Sequence, residues 1–355
     1  MKQCRREFLA TFSLGAVGSA GCITTYGDDE WELDRERLRW RRETDGRVPG
    51  SPIITQGRLY VGSLDGNFYS FDLSGGTPEW TVETGGEIWS TPTHYEGTIY
   101  FGSRDGSLYV LSTEGTRQWR FESNDAIFSD PAVEDESIYI GSMDGNLYAI
   151  DRRESGEQWA YETGGGVRSG PTIAGDTVYV GSDDGGLYAL KRSTGEALWQ
   201  YQTSDAISVT PAIAGSRVFV CSDDEHCYSV DQDDGRLLWR TPIGTRLNSS
   251  PTVSDGIVYF GDTAGTFYAL DAAAGDVRWE SDEVAGTINC DPTVVDGVVY
   301  VGDLRGSLHA FDAASGDHHW KYRTGNAVHS TPLVTEDTIY FGSNDGHVYA
   351  IEREA

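Results

Sequence analysis

Cys221, His226 and Cys227 fall within one short stretch and offer two thiols and an imidazole. Such residues can form a disulfide, stay as free thiols or hold a metal, and the sequence leaves all three open. The spacing fits no familiar zinc pattern. A three-residue hairpin loop between the cysteines would set them face to face, and a two-residue loop would point them to opposite faces. Cys290 has no evident partner. Carboxylates recur in Asp-Gly pairs at 65–66, 105–106, 144–145, 184–185 and 345–346. They could suggest calcium, but each pair sits at the same point of a hairpin, where Asp-Gly serves backbone geometry. His318-His319 reads as a solvated turn pair. No Gly-x-Ser-x-Gly, phosphate-binding Gly-rich loop or His-Glu-x-x-His is present. No nucleophile with its base and no metal cage can be read from the chain.

The elements that must position these residues are repeats. Trp falls at 40, 80, 119, 159, 199, 239, 279 and 320, and Pro at 52, 92, 131, 171, 211, 251, 292 and 332. Both columns have a period near 40 residues. The unit reads Ser-x-Pro, then Gly-x-Val-Tyr-Val-Gly-Ser-x-Asp-Gly-x-Leu-Tyr-Ala-Leu-Asp, then Gly-x-x-x-Trp-x-x-x-Thr. In residues 171–203, β-branched and aromatic runs flank Ser182-Asp183-Asp184-Gly185, a hairpin signal. Each unit holds four short strands, and four strands at this period indicate a propeller blade. The eighth copy ends at Ala355 without its Trp, and the missing strand lies at Trp40–Thr44. The expected fold is all-β: an eight-bladed propeller with four antiparallel strands per blade, closed by the strand at Trp40. Closure removes exposed sheet edges.

The segment Ala-x-Asp-x-x-x-Gly-x-x-x-Trp, as in Ala189–Trp199, resembles the tryptophan-docking motif of quinoprotein propellers. Over roughly residues 40–351 the chain resembles the PQQ-like repeat β-propellers, a group that includes the BamB-type outer-membrane assembly lipoproteins. That resemblance implies that the repeated Trp wedges between neighbouring blades. It also implies that the first strand of each blade is innermost, lining a central channel.

Comparing the blades picks out two adjacent columns. Four residues before each Pro stand Val48, Ile88, Ile127, Val167, Ile207, Leu247, Ile288 and Val328, all aliphatic and read as core. The next column is Pro49, Trp89, Phe128, Arg168, Ser208, Asn248, Asn289 and His329. Adjacent strand residues point to opposite sides, so the second column faces away from that core. These residues are read as opening the innermost strands and ringing one mouth of the channel. Trp89, Phe128, Arg168, Asn248, Asn289 and His329 are the binding candidates, with Asp130 and Asp291 one residue before their prolines. Trp279 to Pro292 is one residue longer than the other connections, which predicts a bulge at Val284–Thr287.

Residues 1–22 read as a signal. Arg5-Arg6-Glu7-Phe8-Leu9 resembles a twin-arginine export signal, and Phe8 to Ala20 is apolar but too short to span a bilayer. Ser19-Ala20-Gly21-Cys22 resembles a lipobox, which implies lipidation at Cys22. Residues 23–39 read as an acidic tether and 40–355 as the propeller. The whole chain has a formal charge of −29 and three lysines, Lys2, Lys191 and Lys321. Self-repulsion at that level destabilises a compact state unless salt screens it. An acidic, lysine-poor surface with this export signal resembles proteins of halophilic archaea. Nucleic-acid binding is excluded for want of basic patches.

The expected protein is therefore a noncatalytic lipoprotein, extracytoplasmic after twin-arginine export. It is a monomeric propeller tied to the membrane by lipid and presenting its channel mouth to a protein or peptide of the envelope. The alternatives are a PQQ-dependent quinoprotein dehydrogenase and a structural envelope component without a specific ligand. The dehydrogenases are larger, and many carry an adjacent Cys-Cys pair that this chain lacks, so neither PQQ nor calcium is expected.

Overall fold

A computed structural model describes residues 36–353. The signal-like segment, Cys22 and the tether up to residue 35 lie outside the described residues. Alternating β-branched and aromatic runs broken by Asp-Gly or Gly turns produce eight four-stranded antiparallel sheets. We number the blades 1 to 8 along the chain, starting from the strand Ile53–Thr55.

Blade 4 shows the common pattern: Thr172–Ala174, Thr177–Gly181, Gly186–Lys191 and Ala197–Gln202, in that order across the sheet. The two middle strands are paired as Val178↔Leu190 and Val180↔Tyr188 and are almost wholly buried. A blade is covered on both faces by its neighbours, which is why these strands read as continuous apolar runs. The outer strand borders solvent and alternates between exposed and half-buried residues.

Tryptophan locks neighbouring blades together. The indole Nε1 of Trp199 donates to the Gln232 carbonyl of the next blade at 3.0 Å, and Trp40, Trp159, Trp239 and Trp279 do the same at 3.0–3.1 Å. Gly235, at φ 70°, lies flat against Trp199, and a Cβ there would stand 2.6 Å from the ring. The copy ending at Trp159 departs from the Gly-x-x-x-Trp rule. Ser155 stands four residues before that Trp and takes the same left-handed backbone at φ 56°. The copy in blade 2 is one residue short, and Trp80 Nε1 is buried without an acceptor.

The Asp-Gly carboxylates are spent on the turns. In blade 4, Asp184 Oδ1 accepts the Gly186 N–H at 2.7 Å. Its Oδ2 accepts the Tyr188 hydroxyl and the Gly164 N–H of the preceding blade, each at 2.6 Å. Among the described residues no group of three or more acidic, His or Cys side chains is arranged to hold a metal.

Blade 8 is completed from the other end of the chain. Leu38–Glu43 lies beside His347–Glu352 as its outermost strand, with Arg41 opposite Tyr349. The Thr331 N–H donates to Ser51 Oγ of blade 1 at 2.9 Å and seals the ring.

Two details differ from expectation. The strand His318–Arg323 starts at His318, so His318-His319 is not a turn pair. His309 replaces the usual Tyr of its column, and its Nδ1 lies 3.1 Å from His318 Nε2 while its Nε2 lies 3.2 Å from buried Asp303. The extra residue of the Trp279–Pro292 connection falls before Val284, not within 284–287. Val284 is buried where most blades carry the Thr that follows Trp. Of the two loop lengths left open between the cysteines, the loop between Arg217–Ser222 and His226–Asp231 has three residues, so Cys221 and Cys227 stand directly opposite. They are buried free thiols, and burial raises the Cys221 thiol far above its ordinary range, with the neighbouring Cys227 adding to the effect.

Candidate channel-mouth site

The first column is the foundation of the site. All eight residues from Val48 to Val328 are 0% exposed. All but Leu247 pack on the Gly that follows the second strand's apolar run in the preceding blade. A Cβ on Gly181 would stand 2.2 Å from Ile207 Cγ2, and one on Gly102 would stand 2.1 Å from Ile127 Cγ2. The blade that has Cys221 instead of Gly is matched by Leu247, the one member of the column without a β-branch. Leucine removes the methyl that would strike a Cβ.

The second column meets at one cavity. Pro49, Trp89, Phe128, Arg168, Ser208, Asn248, Asn289 and His329 line it together with Asp130 and Asp291, and its volume is about 320 Å³. All eight binding candidates are thus brought together. Contrary to expectation, they do not open the inner strands. The inner strand of blade 2 is only Thr93–Tyr95 and begins four residues after Trp89. The collar lies on the irregular segments that lead into those strands. It still alternates with the aliphatic column, because that column is pinned in the core.

The collar has two unlike arcs. Across blades 8, 1, 2 and 3 it is apolar. Trp89 meets His329 edge to face at 6.2 Å and Phe128 at 6.4 Å, bridging over Pro49. Glu87 Oε2 accepts Trp89 Nε1 at 3.1 Å and pairs with Arg104 at 2.5 Å, which fixes the indole. Arg104 and Arg168 flank Phe128 at 5.5 and 5.8 Å from its ring centre. Across blades 4 to 7 the collar is polar: Arg168, Ser208, Asn248 and Asn289. Arg168 Nε is held by Asp183 at 2.9 Å, and Asn289 Oδ1 is buried without a protein partner. Burial keeps the His329 imidazole below its ordinary pKa, with Arg47 adding to the effect.

Beneath the collar, the residues just before the prolines link most neighbouring blades by backbone-to-side-chain hydrogen bonds. Thr91 N–H donates to Asp130 Oδ1 at 2.6 Å, and Ser250 N–H to Asp291 Oδ1 at 2.7 Å. Gly170 N–H reaches Thr210, Thr210 N–H reaches Ser250, and Asp291 N–H reaches Thr331, at 3.0–3.3 Å. Where the other blades have Ser, Thr or Gly, blades 3 and 7 place carboxylates on opposite sides of the channel. Burial pushes Asp130 up to about 7, and the charge of Asp291 adds to this. Burial pushes Asp291 up to about 6. Both line the cavity, so each is half-wetted by the channel rather than sealed off.

A second cavity of about 500 Å³ adjoins the polar arc. It is lined by Arg168, Asp183, Asp205, Asp223 and Arg246, among others, and Arg246 pairs with Asp223. The sequence reading missed this rim. The signal was available: the residue after Ser in each Val-Gly-Ser segment also changes from blade to blade, as Arg104, Asp183, Asp223 and Asn344 show.

Eight tryptophan-locked blades around a channel with one mixed collar define a PQQ-like repeat β-propeller. The chain belongs to the propeller family described as "Beta-alanine-activating enzyme, beta-propeller", whose model matches residues 134–355. The model described as "Outer membrane protein assembly factor BamB" matches residues 25–166. No curated protein sequence matches significantly. Among solved structures, the computationally designed Ika8 protein is similar with a TM-score of 0.81 at 16% identity, covering 89% of this chain and 99% of that one. BamB from Moraxella catarrhalis gives 0.76 at 18%, covering 88% and 98%. A europium-containing methanol dehydrogenase gives 0.77 at 14%, covering 89% and 93%. At these identities the likeness is one of fold.

Proposed function

We propose that this protein is a noncatalytic scaffold that binds a protein or peptide segment at its channel mouth. The observation that carries this reading is the contrast between two adjacent columns. One is aliphatic and fully buried in every blade, and the other differs around the ring and gathers at one cavity. Aromatic and Arg side chains dominate binding energy at interfaces, and Trp89, Phe128 and Arg168 supply them here. The match to a family described as an outer membrane protein assembly factor supports a partner in the cell envelope. The sequence at Arg5-Arg6 and Ser19–Cys22 supports twin-arginine export and a lipid anchor on Cys22, and the charge of −29 supports a high-salt setting. The test is recovery of the partner from native envelopes at high salt. Trp89→Ala with Arg168→Ala should abolish recovery with the melting curve unchanged, and undiminished recovery would move the site elsewhere.

A quinoprotein dehydrogenase is the second reading, because Asn248, Asn289 and Asp291 line one cavity in a fold shared with a methanol dehydrogenase. The residues present do not suit the cofactor. PQQ is a tricarboxylate, while Asp130 and Asp291 face the cavity and its one arginine is already held by Asp183. Dye reduction by alcohols or sugars with PQQ and calcium supplied would establish the enzyme reading.

A further inference from the structure

Two carboxylates of the cavity wall, Asp130 and Asp291, have no basic partner among the described residues. They stand on opposite blades of the ring. Buried charge without a counter-charge is costly. Asn289 Oδ1, on the same wall as Asp291, is a buried acceptor that no protein donor reaches. The nearest guanidinium in the lining, Arg168, is turned to Asp183. Opposite the polar arc, Trp89 and Phe128 form an apolar wall. Arg104 and Arg168 already lie against Phe128, which leaves Trp89 as the ring that would meet a cation. The volume of about 320 Å³ holds a side chain, not a folded element.

We propose that the channel mouth receives an alkyl cation, namely the basic side chain of a partner's peptide segment. Its ammonium or guanidinium sits between Asp130, Asp291 and Asn289, and its stem lies on Trp89. This deepens the binding reading given above and rests on it. The ligand supplies the counter-charge that Asp130 and Asp291 lack. The acidic surface as a whole steers cations toward it.

The probes are three short blocked peptides that differ only in a central Lys, norleucine or Glu. They are titrated against the full propeller at constant ionic strength, and calorimetry reports binding. The Lys peptide should bind at least about tenfold more tightly than the norleucine or Glu peptide. Asp130→Asn with Asp291→Asn keeps an oxygen for the Thr91 and Ser250 N–H groups. It should remove that preference for Lys and leave norleucine binding unchanged. Equal binding of Lys and norleucine, tighter binding of Glu, or no saturable Lys binding would each overturn the inference. If the double variant fails to fold, the comparison of peptides on the native protein still decides. Loss of partner recovery with Trp89→Ala and Arg168→Ala is read separately. It stands or falls without reference to the charge of the ligand.

Discussion

At the scale of single residues, the two channel carboxylates serve two purposes that conflict. Each ties adjacent blades through a backbone N–H, and each is raised by burial. A carboxyl whose folded pKa exceeds its unfolded value stabilises the fold below the unfolded pKa. That contribution is lost as pH rises through the folded pKa. For Asp130 the window runs from 3.8 to about 7. Asp130→Asn keeps the acceptor and removes the charge. The melting temperatures of variant and native protein should therefore coincide near the acid end of that window, and the variant should be the more stable above it. The shift sets a ceiling of about 4 kcal/mol, reduced by channel water. A constant difference across pH would show that the carboxylate is not strained by burial. The collar residues were legible in the sequence because one column varied beside an invariant one. Their neighbours Ser250 and Thr210 were not, because small hydroxyl residues before Pro look like ordinary turn chemistry. The buried His309–Asp303 pair was equally hidden, since only the fold shows that strand residues nine apart bring His318 against His309.

At the scale of elements, every join between blades repeats one steric rule and one exception. Leu247→Ile would restore the β-branch that strikes a Cβ at position 221. Overpacking of this kind costs about 1–3 kcal/mol. Adding Cys221→Gly should recover most of that loss, and a double-mutant cycle by denaturant unfolding measures it. Additive losses would mean that the two positions do not touch. The closing strand supports a second prediction. Removing residues through Thr44 takes away buried Trp40 and leaves the edge of His347–Glu352 unpaired. The loss should be at least about 3 kcal/mol, or roughly 4–5 °C in melting temperature. An unchanged melting curve would show that this strand does not close the ring. Strand number, order and closure were all legible, because a period near 40 fixes them. The start of the inner strands was not. Each is only two or three residues long, and the extended approach to it has the same alternation as a strand.

At the scale of the whole molecule, charge and shape act together. The chain carries a formal charge of −29, most of it on the closed ring, and repels itself at low salt. The screening length is about 10 Å at 0.1 M and 3 Å at 1 M. The melting temperature should rise by roughly 5 °C between those conditions, the equivalent of a few kcal/mol, and equal stability would contradict the high-salt reading. The ring also presents a choice of surfaces to a partner: the mouth, or the outer strands where Leu198 is 52% exposed. A photo-crosslinking residue placed at Asn248 or at Leu198, in native envelopes at high salt, separates the two. The account predicts a crosslinked partner from position 248 and none from 198. Crosslinking from 198 with none from 248 would contradict it.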